Sequence, residues 1–245
     1  MIVGVIPARL DSTRFPDKIL APLAGKPLVA HVAERAMMSE RLDKVIIAID
    51  SEKTRDALAE FEFEMVMTSP NHVSGTDRVA EVIHGIDEAK IIINIQGDEP
   101  LVDPKVIDEL AASFSDRKVT MATVVSRRLK VNDLLNPNIV KAILDEHLNA
   151  VDFKRNVFDL EIGGLYRHIG TYGFRRESLF EFTMLEPSER ELDRSLEQMR
   201  ALDNGIPIRA LVTKYDHWAV DTPKDLEIVA DMIGKMDNNS VERKT

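Results

Sequence analysis

Short apolar runs alternating with amphipathic stretches predict an α/β fold: a Rossmann-like, mainly parallel sheet flanked by helices, with a smaller inserted lobe in the second half. Two further observations point the same way. The helical stretches carry capping residues at their starts, and 245 residues suffice for one large domain with a buried core. The expected strands are residues 2–6, 44–49, 91–95, 119–125, 139–144, 170–174 and 208–213.

The helices announce themselves at their ends. Asp103-Pro104 sets a capping carboxylate before a first-turn proline and opens a helix over 104–114. Ser74 caps residues 76–84, with Asp77 completing a capping box. Thr222-Pro223 with Asp225 opens a last helix to about Met236, beyond which a polar tail is expected to fray. Residues 189–203 read as one helix stopped at Asn204-Gly205. Residues 149–167 follow no clear period and read as irregular or weakly paired.

Composition narrows the function. Hydrophobic residues make up 44% and charged residues 30%, as in an ordinary globular protein. The net charge of -10, from 42 acidic and 32 basic residues, argues against a nucleic-acid partner. An acidic protein that handles anions must gather its cations locally. No cysteine is present, so disulfides and thiolate metal sites are excluded and a reducing compartment is allowed. The N-terminus lacks a basic leader with an apolar stretch. No apolar run reaches the ~20 residues that span a bilayer, so no membrane partner and a cytoplasmic location are expected.

Five segments can carry chemistry. Residues 6–18 follow the first strand and gather Arg9, Arg14 and Lys18 with Ser12 and Thr13, a donor set suited to a triphosphate. The segment is neither a Walker loop nor a dinucleotide-binding turn, and a solvated charged loop is the competing reading. Gln96-Gly97-Asp98-Glu99-Pro100 ends a very apolar strand, where its acids can hold a hard divalent cation or simply form a polar turn. Asp221 is a second carboxylate, or an acid that favours a helix N-terminus. The small polar residues 68–78 lead into a helix start that offers free N–H groups. His168, in Arg167-His168-Ile169-Gly170, can orient a sugar or be structural.

In this order the segments resemble the 3-deoxy-manno-octulosonate (Kdo) cytidylyltransferases, also called CMP-Kdo synthetases. The resemblance rests on Ile6-Pro7-Ala8-Arg9 with Ser12-Thr13-Arg14, Ala24-Gly25-Lys26-Pro27-Leu28, Met67-Thr68-Ser69-Pro70 and Ser74-Gly75-Thr76-Asp77-Arg78. It continues through Gln96-Gly97-Asp98-Glu99-Pro100-Leu101, Asn136-Pro137-Asn138 with Val140-Lys141, Arg167-His168-Ile169-Gly170, Ser195-Leu196-Glu197-Gln198-Met199-Arg200 and Val220-Asp221-Thr222-Pro223.

The resemblance implies a nucleotide-diphospho-sugar transferase type of fold. It implies one domain over 1–245, with residues of about 130–210 forming a sugar-binding and dimerisation lobe, and a homodimer. The implied substrates are CTP and a Kdo-type sugar acid, and the implied cofactor is Mg²⁺ on Asp98 and Asp221. The nucleotide would meet Pro7, Ala8, Arg9, Ser12, Arg14, Lys18, Ser74, Arg78, Gln96 and Asp98. The sugar would meet Arg155, His168, Tyr172, Glu197 and Gln198, and the catalytic set would be Arg9, Lys18, Asp98 and Asp221. A sugar hydroxyl would attack the α-phosphorus, with lipopolysaccharide sugar activation as the role.

Departures from the family pattern cluster in the sugar-binding half. Asp152, Lys154, Asn156 and Val157 replace the usual residues around Phe153 and Arg155, and Leu192-Asp193-Arg194 departs before Ser195. Two consequences are open for Asp152: it faces an ammonium on an amino-Kdo or other nonulosonate acceptor, or it pairs with Lys154 or Arg194. A glycosyltransferase is disfavoured because Asp98-Glu99 is not an Asp-x-Asp pair. A non-catalytic nucleotide-binding protein would have little need for both carboxylates.

Overall fold

The computed structural model describes residues 1–11, 15–158 and 164–242, with 237–242 as backbone only. Ser12 and Arg14, both expected at the nucleotide, lie outside the described residues. In chain order the elements are β1 (Ile2–Ala8), β2 (Pro22–Leu23), β3 (Lys26–Pro27), α1 (Leu28–Met37), β4 (Lys44–Ile49), α2 (Glu52–Ala57), β5 (Met65–Met67), α3 (Gly75–His84), β6 (Ile91–Asn94) and α4 (Pro104–Ser113). They continue as β7 (Met121–Ser126), β8 (Lys141–Leu144), β9 (Ala150–Lys154), β10 (Leu165–Arg175), α5 (Arg176–Met184), α6 (Glu189–Arg194), α7 (Gln198–Asp203), β11 (Ile208–Thr213) and α8 (Pro223–Glu242).

The main sheet runs β11-β7-β10-β6-β1-β4-β5, and β8 pairs with both β10 and β9. β1 is parallel to β4 on one side and β6 on the other, while β10 runs antiparallel to β6 and β7. The chain thus moves outward from β1 through β4 to β5, then returns to β6 on the opposite flank. That reversal opens a crevice beyond the carboxyl ends of β1 and β6, where open α/β sheets bind ligands.

Both faces of the sheet are covered, which is why its strands read as continuous apolar runs. Ile6, Ala8, Ile47 and Ile49 pack into one buried cluster with α1 and α4, and Val3, Val5, Ile46 and Ala48 into another with α3 and α5. β7, between β11 and β10, is buried along its whole length. The capping signals hold. Ser74 and Asp77 form a reciprocal capping box on α3, and Asp103 accepts from Lys105 N at the head of α4.

Three expectations are corrected. Residues 149–167 are not irregular throughout, since they contain β9 and the first residues of β10; Lys141 faces Lys154 and Arg167 in an antiparallel ladder. The pairing partners of these mixed, half-exposed strands lie far along the sequence, so no local period reveals them. The helix expected over 189–203 is two helices, because Ser195 adopts φ 51° and turns the chain between α6 and α7. The polar tail continues α8 to Glu242. In the second half, β10 and β11 belong to the central sheet, and β8 and β9 extend it.

Gly173 shows how tightly β10 is packed. A Cβ there would sit 2.5 Å from Phe114 Cε2 and 3.3 Å from Ile93 Cδ1. Gly173→Ala is expected to destabilise the fold by about 1–3 kcal/mol through overpacking. Urea denaturation of Gly173→Ala, Phe114→Leu and the double variant checks this, because the smaller Leu should relieve much of the alanine's cost. Additive costs in the double variant would rule out the clash.

Candidate functional site at the sheet switch point

The site begins with a close approach of two strand ends. Ile95 N donates to Val5 O at 2.9 Å, carrying the β1–β6 ladder one residue past β6. A Cβ on Gly97 would come within 2.9 Å of Pro7 O, so this position needs glycine for the turn to lie against β1. The turn leaves Asp98 and Glu99 just past the strand.

A third strand of chain is fastened to this turn. Val220 N donates to Asp98 O at 2.9 Å, which fixes Asp221 beside Asp98. Asp225 accepts from Thr222 N at 2.8 Å and from Asp221 N at 3.1 Å, so the cap of α8 also orients the Asp221 backbone. Lys18, from the short 3₁₀ turn Lys18–Leu20, sets its ammonium 2.5 Å from Asp98 Oδ2 and 3.7 Å from Asp221 Oδ1. Two carboxylates separated by more than a hundred residues therefore converge on one cation position. Their oxygens are the donors a hard divalent cation prefers, so the residues fit Mg²⁺.

Two clefts meet at these carboxylates. The first, about 330 Å³, is lined by Pro7, Arg9, Lys18, Ser74, Gly75, Arg78, Gln96, Asp98 and Asp221, among others. Arg9 is exposed. Ala8 ends β1 as a buried residue beneath it. Ser74 is committed to its cap, donating to Asp77 Oδ2 at 2.9 Å. Arg78 is 2% exposed; its guanidinium is paired to Asp50 Oδ2 at 3.0 Å and also bonded to Thr68, while burial lowers its pKa. Asp50 further accepts from Leu10 N at 3.0 Å, tying the loop after β1 to α3. Nothing in the sequence reading singled out Asp50, although it follows the end of β4, the position that had marked Asp98.

The second cleft, about 500 Å³, shares Gln96, Asp98 and Asp221 with the first and adds Glu99, Asn136, Arg167, His168, His217 and Trp218, among others. Gly170 opens it, since a Cβ there would press on Gln96 Cγ at 3.3 Å. One wall depends on Lys141, which is fully buried and donates from Nζ to the carbonyls of Asn136, Ile139 and Arg155. An ammonium bound by three carbonyls holds a loop as a covalent staple would.

The expected sugar residues divide. His168 is on the second cleft and lies 3.0 Å from Thr123 Oγ1. Arg155 uses its guanidinium to brace the carbonyls of Arg194, Pro137 and Ser195. Tyr172, Glu197 and Gln198 line neither cleft; Gln198 is buried and the other two are half-buried, with Glu197 accepting from Thr76 Oγ1 at 2.8 Å. Tyr172 OH, Glu197 Oε1 and Gln198 Nε2 make no hydrogen bond among the described residues, an unmet polar demand. Burial raises the pKa of both Tyr172 and Glu197.

Asp152 lines neither cleft and pairs with cations of this chain. Its carboxylate lies 2.5 Å from Arg194 Nη1, 3.7 Å from Arg190 Nη1 and 3.9 Å from Lys154 Nζ. The departures from the family pattern pair with one another, so they give no ground for an amino-sugar acceptor.

Comparisons with known proteins agree with this geometry. A family model described as cytidylyltransferase matches residues 3–210. A 3-deoxy-manno-octulosonate cytidylyltransferase of Geobacter metallireducens is 41% identical, covering 96% of this chain and 98% of the relative. One from Thermodesulfovibrio yellowstonii is 42% identical, covering 92% and 95%. The solved structure of CMP:2-keto-3-deoxy-manno-octonic acid synthetase complexed with CTP is similar with a TM-score of 0.89 at 34% identity, covering 96% of this chain and 99% of that one.

His168 supplies a test of the site's electrostatics. Burial, and secondarily His217, lower its pKa from 6.5 to about 3. The unfolded chain therefore binds a proton below pH 6.5 that the folded state refuses, and stability falls as pH drops through that window. Acidification from pH 7 to 5 should cost roughly 2 kcal/mol through this group alone. His168→Gln should lose that much less between the two pH values in thermal melts; equal losses in both proteins would disprove the buried, neutral imidazole.

Proposed function

The chain belongs to the cytidylyltransferase family, and from that premise we propose that it transfers CMP from CTP to the anomeric hydroxyl of a 3-deoxy-manno-octulosonate-type sugar acid, releasing pyrophosphate. The observation that carries this reading is the shared wall: the two clefts have Gln96, Asp98 and Asp221 in common. A donor in one cleft and an acceptor in the other meet at the two carboxylates.

The first cleft receives the nucleotide, with Arg9 and Lys18 as its cations. The second receives the sugar acid, with His168 on its wall. The anomeric oxygen attacks the α-phosphorus. As that O–P bond forms, the bond from the α-phosphorus to the pyrophosphate oxygen breaks, and the hydroxyl proton passes to solvent. Arg9 and Lys18 stabilise the charge on the departing pyrophosphate, and the rest of the catalysis is positioning. Asp98 and Asp221 would hold Mg²⁺, which would supply Lewis-acid polarisation of phosphoryl oxygens. No side chain has to act as a nucleophile. The same reading makes the enzyme a cytoplasmic homodimer that supplies activated sugar for lipopolysaccharide; its support is the family resemblance.

Asp98→Asn and Asp221→Asn should each lower pyrophosphate release from CTP and Kdo by at least ~10²-fold, the scale for losing one electrostatic stabiliser. Chelation of divalent cations should do the same. Arg9→Ala should raise KM for CTP while leaving stability within about 1 kcal/mol, because the side chain is exposed. Turnover that survives either asparagine variant, or survives excess chelator, would defeat the metal assignment.

A further inference from the structure

We infer that Arg167 is the receptor for the carboxylate of the acceptor sugar acid, an assignment that rests on the sugar-acid reading above. Arg167 sits on β10 between Ser126 of β7 and Lys141 of β8, half-buried on the wall of the second cleft. A guanidinium is charged at every accessible pH and presents a planar fork that matches a carboxylate. Among the described residues, this one makes no hydrogen bond and no ion pair, although its charge acts on both Glu99 and His217. Leaving a partly desolvated guanidinium without a partner is costly, so the position calls for an anion from outside the chain.

The charges around the cleft sharpen the assignment. Its lining carries the acids Asp98, Glu99, Asp221 and Asp225, and Arg167 is the one Lys or Arg among the described residues there. Lys18 lies against Asp98 and Asp221 from the first cleft, so Arg167 is the cation that the second cleft's own wall offers an anionic acceptor. The neighbouring cations are engaged elsewhere. Arg155 braces three carbonyls, Lys141 holds three more, Lys154 lies by Asp152, and Arg127 stacks 6.0 Å from the centre of the Tyr166 ring.

Beneath Arg167 the cleft floor offers a complementary acceptor. Glu99 is 3% exposed and its Oε2 makes no hydrogen bond; His217 Nδ1 lies 3.3 Å away without the alignment of one. A sugar hydroxyl donating to Glu99 while the sugar carboxylate meets Arg167 would satisfy both buried demands at once and fix the ring's orientation.

A guanidinium of this kind can also take a phosphate of the nucleotide, and the experiment separates the two sources. Trp218 is the sole tryptophan, 39% exposed, and lies on the same cleft, so its fluorescence reports acceptor binding without turnover. Wild type, Arg167→Met, Arg167→Lys and Arg155→Met are titrated with Kdo and with its methyl ester, reading fluorescence and pyrophosphate release. Arg167→Met should raise KM for Kdo about 10²-fold, the size of a lost charge-assisted pair, and use acid and ester equally well. Its KM for CTP and its melting temperature should stay unchanged, and Arg167→Lys should recover part of the preference for the acid. The assignment is overturned if Arg167→Met keeps the wild-type preference, if KM for CTP rises instead, or if Arg155→Met alone abolishes the preference. Wild type that binds Kdo through Arg167 by fluorescence yet releases no pyrophosphate would refute the proposed reaction and leave the receptor standing.

Discussion

The whole site depends on one close approach between backbone segments. Gly97 lies against Pro7 O where any side chain would collide, and Val220 N donates to Asp98 O across the same turn. These contacts bring the ends of β1 and β6 and the entrance of α8 to one place. From them follow the meeting of Asp98 with Asp221, their common cation position at Lys18 and the wall that both clefts share. A parallel sheet that reverses direction beside its first strand leaves a crevice there; the glycine and the backbone bond turn that crevice into a site of defined geometry.

An acidic chain holds this site together largely with buried cations. Lys141 gathers three carbonyls, Arg78 joins Asp50 and Thr68, and Arg200 lies 2.6 Å from Glu191. Removing one partner from such a pair strands the other in a poorly solvated place, so these contacts fix geometry more than they add net stability. Among the described residues, Arg167 is a guanidinium that such bracing leaves over, and it lies on the wall of the second cleft. His168 and Glu99 are pushed by burial in opposite pKa directions, yet both toward the uncharged form, which suits a cleft built to orient hydroxyls.

The departures in the second half acquire a structural meaning. Asp152, Lys154 and Arg194 stand where the family pattern has other residues, and together with Arg190 they form one charge cluster between β9 and α6. The cluster links the strand just before Arg155 to the helix before Ser195. Sequence drift at the sugar side is thus a replacement of one packing solution by another, and the polar groups that open into the second cleft lie outside it.

What was legible in the sequence was whatever depends on local chemistry. Buried strands under helices on both faces read as apolar runs, capping boxes at Ser74 and Thr222 mark helix starts, and acids or cations just past a strand mark the carboxyl edge of the sheet. Those signals drew attention to Arg9, Lys18 and Asp98, whereas the pairing of Asp98 with Asp221 came from the family resemblance. The tertiary structure decided everything that depends on pairing between distant residues. β9 became a strand because β8 lies beside it, Ser195 broke a helical run through one left-handed residue, and Arg155 became a brace because carbonyls from Pro137, Arg194 and Ser195 surround it. Asp50, Glu99 and Arg167 took their roles from neighbours many residues away. A charged side chain carries the same formula in a salt bridge, a backbone brace or a ligand site, and only the partners that folding brings to it determine which it becomes.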